Sequence, residues 1–278
     1  MSIKKDLANV LLTMEDAVAR IVLNRPEKKN AMSPDLHDDM NSALDEIEKQ
    51  DGIKVIVITG AGDDTFCGGM DLEKFFFEPM MESPEKFKKI ADVAGRWFNR
   101  LIEAPQIVVC SINGYCFGGG VDLVGICDLA VAAEDAVMGL SEVNFGVLPA
   151  GGTTWAVKNN FNRKQGLRYC LTGETFTGKE AVELGLVNIA VPKEKLTEET
   201  DRLVGLLVDK NALTLEAIKK VFTKLPSNWY EAVEFENGKA QELAFFQGEK
   251  NWFQHALKKF KDREYKPGLG AYKLDKGE

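Results

Sequence analysis

A glycine-dense stretch, Gly114-Tyr-Cys-Phe-Gly-Gly-Gly-Val-Asp122, constrains the fold of this chain more than any other segment. It follows the apolar run Ile107-Val-Val-Cys-Ser-Ile112 and leads into a second apolar run at residues 121–126. This order predicts a buried strand, a sharp turn and the start of a helix. Because glycine has no side chain, the unpaired N–H groups at that helix start are open to a ligand.

Two carboxylates accompany this turn. Asp122 lies two residues after the glycine triplet, and Glu142 follows in the motif Leu140-Ser-Glu142. Backbone N–H groups beside carboxylates can hold a developing oxyanion and move protons next to it. Asp122 has apolar neighbours, where a carboxylate is costly unless it is paired or used. A simpler interpretation makes Asp122 a first-turn acid favoured by the helix dipole, and Glu142 a surface residue at a strand end.

The composition disfavours several classes of function. The 278 residues include 35 Lys and Arg against 43 Asp and Glu, and the net charge of -8 argues against extended contact with nucleic acid or an anionic membrane. The N-terminus has no apolar leader and no long uncharged apolar run follows, so we expect neither export nor membrane insertion. Nucleotide-binding GxxxxGK[ST] and hydrolase GxSxG patterns are also missing from the sequence.

Histidines and cysteines do not form a metal-binding pattern. The histidines are His37, on a face of the first helix that we predict to be exposed, and His255 near the C-terminus. The five cysteines form no CxxC pair, so we expect no metal site. We interpret the cysteines as reduced core thiols of a cytoplasmic protein. Proton transfer is therefore assigned to carboxylates.

Strand and helix patterns alternate over residues 1–192, which predicts an α/β core. Apolar strand-like runs occupy residues 17–23 and 53–59, and the helix between them begins at Ser33-Pro34, an N-cap followed by proline. Its apolar face is formed by Leu36, Met40, Leu44 and Ile47. Residues 193–278 are predicted to be helical, with aromatic side chains that form either an ordinary core or a subunit contact surface.

Several motifs carry a family resemblance. In chain order they are Asn24-Arg-Pro-Glu-Lys-Lys-Asn-Ala-Met32, Phe66-Cys-Gly-Gly-Met-Asp71, Asn113 through Gly120, Cys127-Asp128, Leu140-Ser-Glu142 and Thr172-Gly-Glu-Thr-Phe-Thr-Gly-Lys-Glu-Ala181. Their order and spacing resemble the crotonase, or enoyl-CoA hydratase, superfamily over nearly the whole chain. The resemblance implies a crotonase-like spiral of ββα repeats over residues 1–192 and a C-terminal helical trimerisation region over residues 193–278. It also implies a homo-oligomer, either a trimer or a dimer of trimers.

The same resemblance implies a substrate and a site. The substrate would be a coenzyme A thioester, with no tightly bound cofactor. Its carbonyl would accept hydrogen bonds from the backbone N–H groups of Met70 and Gly119. Glu142 would be the principal acid/base, with Asp122 its partner in activating or positioning water. Coenzyme A would contact Lys28, Lys29, Ala31 and Gly68, while Phe260 and Arg263 would reach the coenzyme A of a neighbouring subunit. Lys28 and Lys29 could equally be solvated turn lysines.

Within the superfamily the chain looks most like the hydroxycinnamoyl-CoA hydratase-lyases, through Gly139-Leu-Ser-Glu142 and the tail Lys266-Pro-Gly-Leu-Gly-Ala-Tyr-Lys273. It departs from them at Asp122, where those enzymes carry serine, and at Asn237, where they carry the tyrosine that meets the substrate phenol. The run Gly118-Gly-Gly-Val-Asp-Leu123 instead looks like the dienoyl-CoA isomerases, whose third acid would fall on Ala150. The match to the isomerases is therefore also incomplete.

We expect aromatic side chains to line the pocket for the acyl group, because their bulk suits an aromatic or cyclic acyl chain. They are Phe75, Phe76, Phe77, Trp97 and Trp155. These side chains could equally fill the core, and a contact of Asn237 with the substrate is a further expectation. The main hypothesis is an enoyl-CoA hydratase, with or without retro-aldol lyase activity on a hydroxycinnamoyl thioester. The alternatives are a dienoyl-CoA isomerase and a non-catalytic acyl-CoA-binding protein of the same fold.

Overall fold

The computed structural model describes residues 3–225, 231, 233–239, 258 and 262. Its strands are β1 (Ile3–Asp6), β2 (Val10–Glu15), β3 (Val18–Leu23), β4 (Val55–Gly60), β5 (Thr65–Cys67), β6 (Ile107–Ile112), β7 (Tyr115–Phe117), β8 (Leu129–Ala133), β9 (Val137–Gly139), β10 (Thr175–Thr177) and β11 (Ile189–Val191). Its helices are α1 (Pro34–Glu48), α2 (Glu78–Glu82), α3 (Pro84–Glu103), α4 (Gly119–Ile126), α5 (Thr153–Asn160), α6 (Arg163–Thr172), α7 (Gly178–Leu184), α8 (Leu196–Val208) and α9 (Ala212–Lys224).

The strands form two sheets. The larger sheet has the order β1-β2-β3-β4-β6-β8-β11, antiparallel from β1 to β3 and parallel from β3 onwards. The smaller sheet has the order β10-β9-β7-β5. The units β4-β5-α3 and β6-β7-α4 each give one strand to each sheet before their helix. Because parallel neighbours need a crossover, the helices wind back over the sheet and produce the predicted spiral of ββα units.

Both faces of the larger sheet are buried. Val55 and Val57 of β4 pack on one face, whereas Ile56 and Ile58 join the main core on the other. This alternation follows from the two-residue period of a strand. The face that carries Val55 and Val57 is covered by α8, whose Val204 packs against β4 and β6. The near-continuous apolar sequences of β4 and β6 are typical of parallel strands buried on both sides.

The glycine-dense stretch differs in one respect from its prediction. A short strand, β7, lies between β6 and α4, where the sequence predicts only a sharp turn. Its Cys116 is buried, and β7 pairs in parallel with β5 and β9. This strand is only three residues long and gains its stability from partners distant in sequence, so local periodicity does not reveal it.

Helix α1 confirms its predicted start and apolar face. The Ser33 hydroxyl accepts a hydrogen bond from the backbone N–H of Leu36 at 3.3 Å, and Pro34 occupies the first turn. The predicted apolar face is buried. The predicted exposure of His37 is wrong, because its side chain is completely buried. Helix α3 packs along α1 and covers the second flank of α1, where His37 and Asn41 lie.

The described part of residues 193–278 packs onto the core. Helix α8 lies on the larger sheet, and Lys219 of α9 inserts its ammonium group between chain segments of the core. Lys219 Nζ lies 2.7 Å from Asp128 Oδ2 and donates to the carbonyls of Leu101 and Gln106 at 2.9 and 3.0 Å. The predicted domain boundary at residue 193 stays a prediction. The aromatic residues Trp229, Phe245, Phe246, Trp252 and Phe253 lie outside the described residues.

We expect Lys219→Met to lower the free energy of unfolding by about 2–4 kcal/mol, because it leaves the half-buried Asp128 carboxylate and two carbonyls without their cation. Urea denaturation at neutral pH measures the change. The control is Lys220→Met, which breaks an ion pair with Glu216 within α9 and should cost less than about 1 kcal/mol. Equal effects of the two substitutions would contradict the role of Lys219.

Candidate active site

The first candidate oxyanion donor lies at the start of α4. Gly118 has a left-handed φ of +50°, which glycine adopts without strain, and its N–H donates to the carbonyl of Gly139 at 3.0 Å. A Cβ on Gly119 would come within 2.8 Å of Met32 Cε and 3.2 Å of Met70 Cε. Only glycine therefore fits at residue 119 without movement of these two methionine side chains, and its N–H opens the first turn of the helix.

The second candidate donor is Met70. Met32 and Met70 form a single parallel bridge, in which the Met32 N–H donates to Gly69 and the Asp71 N–H donates to Met32. Within the described residues, the N–H groups of Met70 and Gly119 donate to no acceptor. A Cβ on Gly69 would lie 3.5 Å from the Gly119 nitrogen, so the two chain segments touch. Two unpaired donors from adjoining segments can bind one carbonyl oxygen as it gains negative charge.

Asp122 lies on the first turn of α4 and is 1% exposed. Its Oδ1 is buried and has no hydrogen-bond partner in the part of the chain that the structure describes. A Cβ on Gly152 would come within 3.2 Å of both carboxylate oxygens, so the loop before α5 lies directly against Asp122. A buried carboxylate without a neutralising partner is costly, which favours a functional role over simple capping of the helix.

Glu142 approaches the same glycine triplet from the other side. It begins a 3₁₀ turn, Glu142–Phe145, directly after β9. A Cβ on Gly118 would lie 3.0 Å from Glu142 Oε1. Its Oε2 is buried and lacks a hydrogen-bond partner among the described residues. This burial does not fit a solvated surface residue at a strand end.

Both carboxyl groups hold their protons more tightly than an exposed carboxyl group does. Burial, reinforced by the negative charge of Glu142, raises the pKa of Asp122 to about 7. Burial also raises the pKa of Glu142 above its ordinary value. Two interacting carboxyls of this kind titrate as a pair, so near neutral pH they can share one proton. Such a pair can both accept and return a proton during one reaction.

Asn30 organises the loop before α1, a role that was not predicted from the sequence. Its side chain is completely buried in a left-handed conformation, with φ +51°. Asn30 Oδ1 accepts from the N–H of Arg25 at 3.0 Å, and Nδ2 donates to the carbonyls of Ala61 and Thr65, both at 2.9 Å. Asparagine tolerates a left-handed backbone conformation better than most residues do. The three side-chain hydrogen bonds hold Asn30 in this conformation and fix the loop before α1 against the segment from Ala61 to Thr65. In the sequence, the only sign of this role is that Asn30 lies within the family motif Asn24–Met32.

A second unassigned contact joins this loop to the Met70 segment. Arg25 Nη2 lies 3.1 Å from Asp71 Oδ2, and both side chains are largely buried. Arg25 also donates to the carbonyl of Ala31. The contact fixes the chain on both sides of the Met32–Met70 bridge. Arginine suits this role because its several donors bind a carboxylate and a carbonyl together.

The predicted coenzyme A residues lie partly together. Lys29 is exposed, its carbonyl accepts from the N–H of Gly68 at 2.7 Å, and its Nζ lies 3.0 Å from Asp64 Oδ2. The Lys29 ammonium also lies 5.7 Å from the ring centre of Tyr115. Lys28 is exposed, and Ala31 is half-buried. Phe260 and Arg263 lie outside the described residues.

The predicted pocket residues divide into two groups. Phe75 and Trp97 are buried, and both rings contact His37. Trp155, on α5, and Asn237, in the helical segment 233–239, are exposed. Phe76 and Phe77 belong to a π-helical segment, Leu72–Phe77, that follows Met70 and Asp71. Phe75 and Trp97 thus lie around His37, a residue that was predicted to be exposed.

Among the described residues, no three His, Cys, Asp or Glu side chains gather as a metal site would require. No helix in this part of the chain is long and apolar enough to cross a membrane.

Comparisons with known proteins identify the family and agree with the fold. A family model described as enoyl-CoA hydratase/isomerase matches residues 13–264. The chain therefore belongs to the enoyl-CoA hydratase/isomerase family, within the crotonase superfamily, whose members act on coenzyme A thioesters. It is 37% identical over 267 residues to a hydroxycinnamoyl-CoA hydratase-lyase of Pseudomonas fluorescens, covering 95% of this chain and 96% of that protein.

A second relative and a solved structure are also similar to this chain. The chain is 29% identical over 212 residues to a crotonyl-CoA hydratase of Syntrophomonas wolfei, covering 76% of this chain and 80% of that protein. Its fold matches a crystal structure of an enoyl-CoA hydratase from Bacillus anthracis with a TM-score of 0.83 and 24% identity, over 96% of this chain and 100% of that one. The predicted α/β crotonase fold is confirmed.

We expect Asp122→Asn to stabilise the fold as the pH rises. The pKa of Asp122 is about 7 when folded and near 3.8 when unfolded, so its ionisation costs the native state increasing free energy between these values. Between pH 5 and pH 8, the free energy of unfolding of the variant relative to the wild type should increase by about 2–3 kcal/mol. Urea denaturation at both pH values measures it.

The control for this measurement is Asp135→Asn, at an exposed aspartate. It should show no such pH-dependent gain. A constant difference between Asp122→Asn and wild type at the two pH values would show that Asp122 ionises normally in the folded protein.

Proposed function

We propose that this protein is an enoyl-CoA hydratase that accepts hydroxycinnamoyl thioesters. The observation that carries the proposal is that two carboxyl groups lie against one glycine turn, and each has a buried oxygen without a partner among the described residues. The same turn supplies a backbone N–H that donates to no acceptor there. The acyl class is supported by the 37% identity to a hydroxycinnamoyl-CoA hydratase-lyase over nearly the whole chain.

In this proposal the thioester carbonyl accepts hydrogen bonds from the N–H groups of Met70 and Gly119. A water oxygen adds to the β-carbon and gives its proton to the carboxylate of the pair. The electrons of the double bond move to the carbonyl oxygen, where the two N–H groups stabilise the enolate. The acid form of the pair then returns a proton to the α-carbon, which completes hydration.

A second outcome is cleavage of the hydrated product. Removal of the β-hydroxyl proton by a carboxylate would break the bond between the α- and β-carbons, releasing an aldehyde and the acetyl-CoA enolate. The name of the Pseudomonas fluorescens relative supports this outcome. Asp122 and Asn237 stand at two positions where the resemblance to such enzymes implies a serine and a tyrosine, so we place hydration first.

The alternatives receive less support. A dienoyl-CoA isomerase would need a third acid, and the corresponding residue is Ala150. A non-catalytic acyl-CoA-binding protein would have no use for two neighbouring carboxyl groups whose pKa values are both raised by burial. Coenzyme A would bind along Lys28, Lys29, Ala31 and Gly68, of which Lys29 and Gly68 share a hydrogen bond. In an assembly, Phe260 and Arg263 would contact the coenzyme A of a neighbour.

We expect Glu142→Gln to reduce kcat by at least about 10²-fold, because an amide fills the same space but cannot transfer a proton. Turnover is measured by product mass with crotonyl-CoA, coumaroyl-CoA, feruloyl-CoA and a 3,5-dienoyl-CoA. Added water indicates hydration, release of aldehyde indicates cleavage, and an unchanged mass with shifted absorbance indicates isomerisation.

The matched control is Glu183→Gln, at an exposed glutamate of α7, which should leave turnover within twofold of wild type, about the scatter of such assays. Near-normal kcat of Glu142→Gln would show that Glu142 is not the acid/base. Isomerisation as the main wild-type reaction would contradict the hydratase proposal.

We also propose that the chain forms a trimer or a dimer of trimers in the cytoplasm. Large apolar side chains next to Glu142 are exposed in the single chain, notably Phe145 and Leu148 at 62% and 72%. A contiguous exposed apolar surface commonly marks a protein interface. The five cysteines are free, as in most cytoplasmic proteins.

For assembly, we expect light scattering at micromolar concentration to give three or six times the chain mass of 30.8 kDa. Phe145→Asp combined with Leu148→Asp should lower this mass, because two buried charges would oppose association. A wild-type mass equal to one chain would rule out the proposed assembly.

A further inference from the structure

Two polar side chains of α1 are buried without their full set of hydrogen bonds. His37 is completely buried and its Nε2 has no hydrogen-bond partner among the described residues. Asn41, one helical turn later on the same flank, is also buried and its Oδ1 is likewise unpaired there. A buried polar atom without a partner costs about 1–3 kcal/mol, so native proteins seldom leave one unused.

The hydrogen-bonding character of both atoms follows from their neighbours. Trp97 Nε1 donates to His37 Nδ1 at 2.8 Å, so Nδ1 carries no proton. Burial lowers the pKa of His37 to about 4, and the neutral ring therefore carries its proton on Nε2 at neutral pH. Asn41 Nδ2 donates to the carbonyls of His37 and Val93 at 2.9 and 3.1 Å, which leaves Oδ1 as an acceptor. The flank thus offers one unused donor and one unused acceptor.

This flank is linked to the candidate active site. Met32 and Met70 form the bridge beside Gly119, and the chain continues from each of them to a residue five positions later. Those two residues, His37 and Phe75, meet again with ring centres 5.4 Å apart in an edge-to-face contact. Both connections run from extended chain into a helical segment, which begins at Pro34 in one and at Leu72 in the other. At about 1.5 Å per α-helical residue and at most about 3.6 Å per extended one, five residues advance by roughly 7 to 18 Å. The length of an extended para-hydroxycinnamoyl group, from its thioester carbonyl to its hydroxyl, falls within this range.

We propose that His37 Nε2 and Asn41 Oδ1 form a binding site for the phenolic hydroxyl of the acyl group. This inference rests on the proposed function and names the part of the substrate that determines specificity. The hydroxyl oxygen accepts from His37 and its proton is donated to Asn41, so both unpaired atoms are satisfied by one group. Phe75 packs beside the aromatic ring of the substrate. The related enzymes bind the phenol with a tyrosine, and this chain has Asn237 at that position. His37 and Asn41 would take over the role of the missing tyrosine.

A site of this kind discriminates against ligands without the hydroxyl, because they leave two buried polar atoms unpaired. The test compares two unreactive thioesters, 3-(4-hydroxyphenyl)propanoyl-CoA and 3-phenylpropanoyl-CoA, by titration calorimetry with the full-length protein. We expect the wild type to bind the hydroxylated thioester at least about tenfold more tightly. The ratio of the two dissociation constants is the readout, and it does not depend on turnover.

Two substitutions of His37 separate its ring nitrogens. In His37→Asn the side-chain amide reaches the place of Nδ1, so it can still accept from Trp97 but has no group at Nε2. In His37→Gln the longer amide reaches the place of Nε2. The preference for the hydroxylated thioester should fall to nearly one in His37→Asn and be retained in part in His37→Gln. Asp38→Asn, at the exposed neighbouring residue, should leave the preference unchanged.

Equal wild-type affinities for the two thioesters would overturn the proposal, since they would mean that a resident water already satisfies both atoms. A preference that survives unchanged in His37→Asn would overturn it as well. If no enoyl thioester is hydrated but the hydroxyl preference is found, the proposed function fails and the site stands. If coumaroyl-CoA is hydrated but the preference is absent, the site fails and the proposed function stands.

Discussion

The side chain of Asn30 makes the interaction on which the site depends. It hydrogen-bonds to three backbone groups, the N–H of Arg25 and the carbonyls of Ala61 and Thr65, from a fully buried left-handed residue. These bonds tie the loop before α1 to the connection between β4 and β5. A Cβ on Gly60 would lie 2.8 Å from Asn30 Nδ2, so the packing leaves no room for change. Because Met32 follows this fixed loop, its position is fixed as well. Met32 then forms the bridge to Met70, which places Met70 beside Gly119.

The site holds polar groups in a state that costs stability. The N–H groups of Met70 and Gly119 and the carboxyls of Asp122 and Glu142 all retain unused hydrogen-bonding capacity among the described residues. The larger sheet supports them because both its faces are buried, one by the main core and one by α8. Groups that are kept unpaired in this way are free to act on a substrate without first breaking bonds to the protein. The same reasoning applies to His37 and Asn41, where the unpaired groups lie deeper in the fold.

The sequence predicted the features that arise from neighbouring residues. The Ser33 cap, the apolar face of α1 and the helix start at the glycine triplet depend on residues only a few positions apart. Asp122 was also predicted correctly to be buried, because its neighbours in the chain are apolar. Strand β7, the burial of His37 and the three contacts of Asn30 were not predicted. Each depends on a partner distant in sequence, namely β5 and β9, helix α3 and the β4–β5 connection.

The central claim is that Asp122 and Glu142 titrate as one coupled pair at the glycine turn. Infrared difference spectroscopy of the carboxyl bands, recorded across the pH range in the wild type and in single amide variants of each residue, measures this most directly. In the wild type, the band of a protonated carboxyl group should disappear as the pH rises through about 7. In either variant, this band should be absent or should disappear at a lower pH. Two carboxyls that both ionise near pH 4 in the wild type, with no change between the variants, would contradict it.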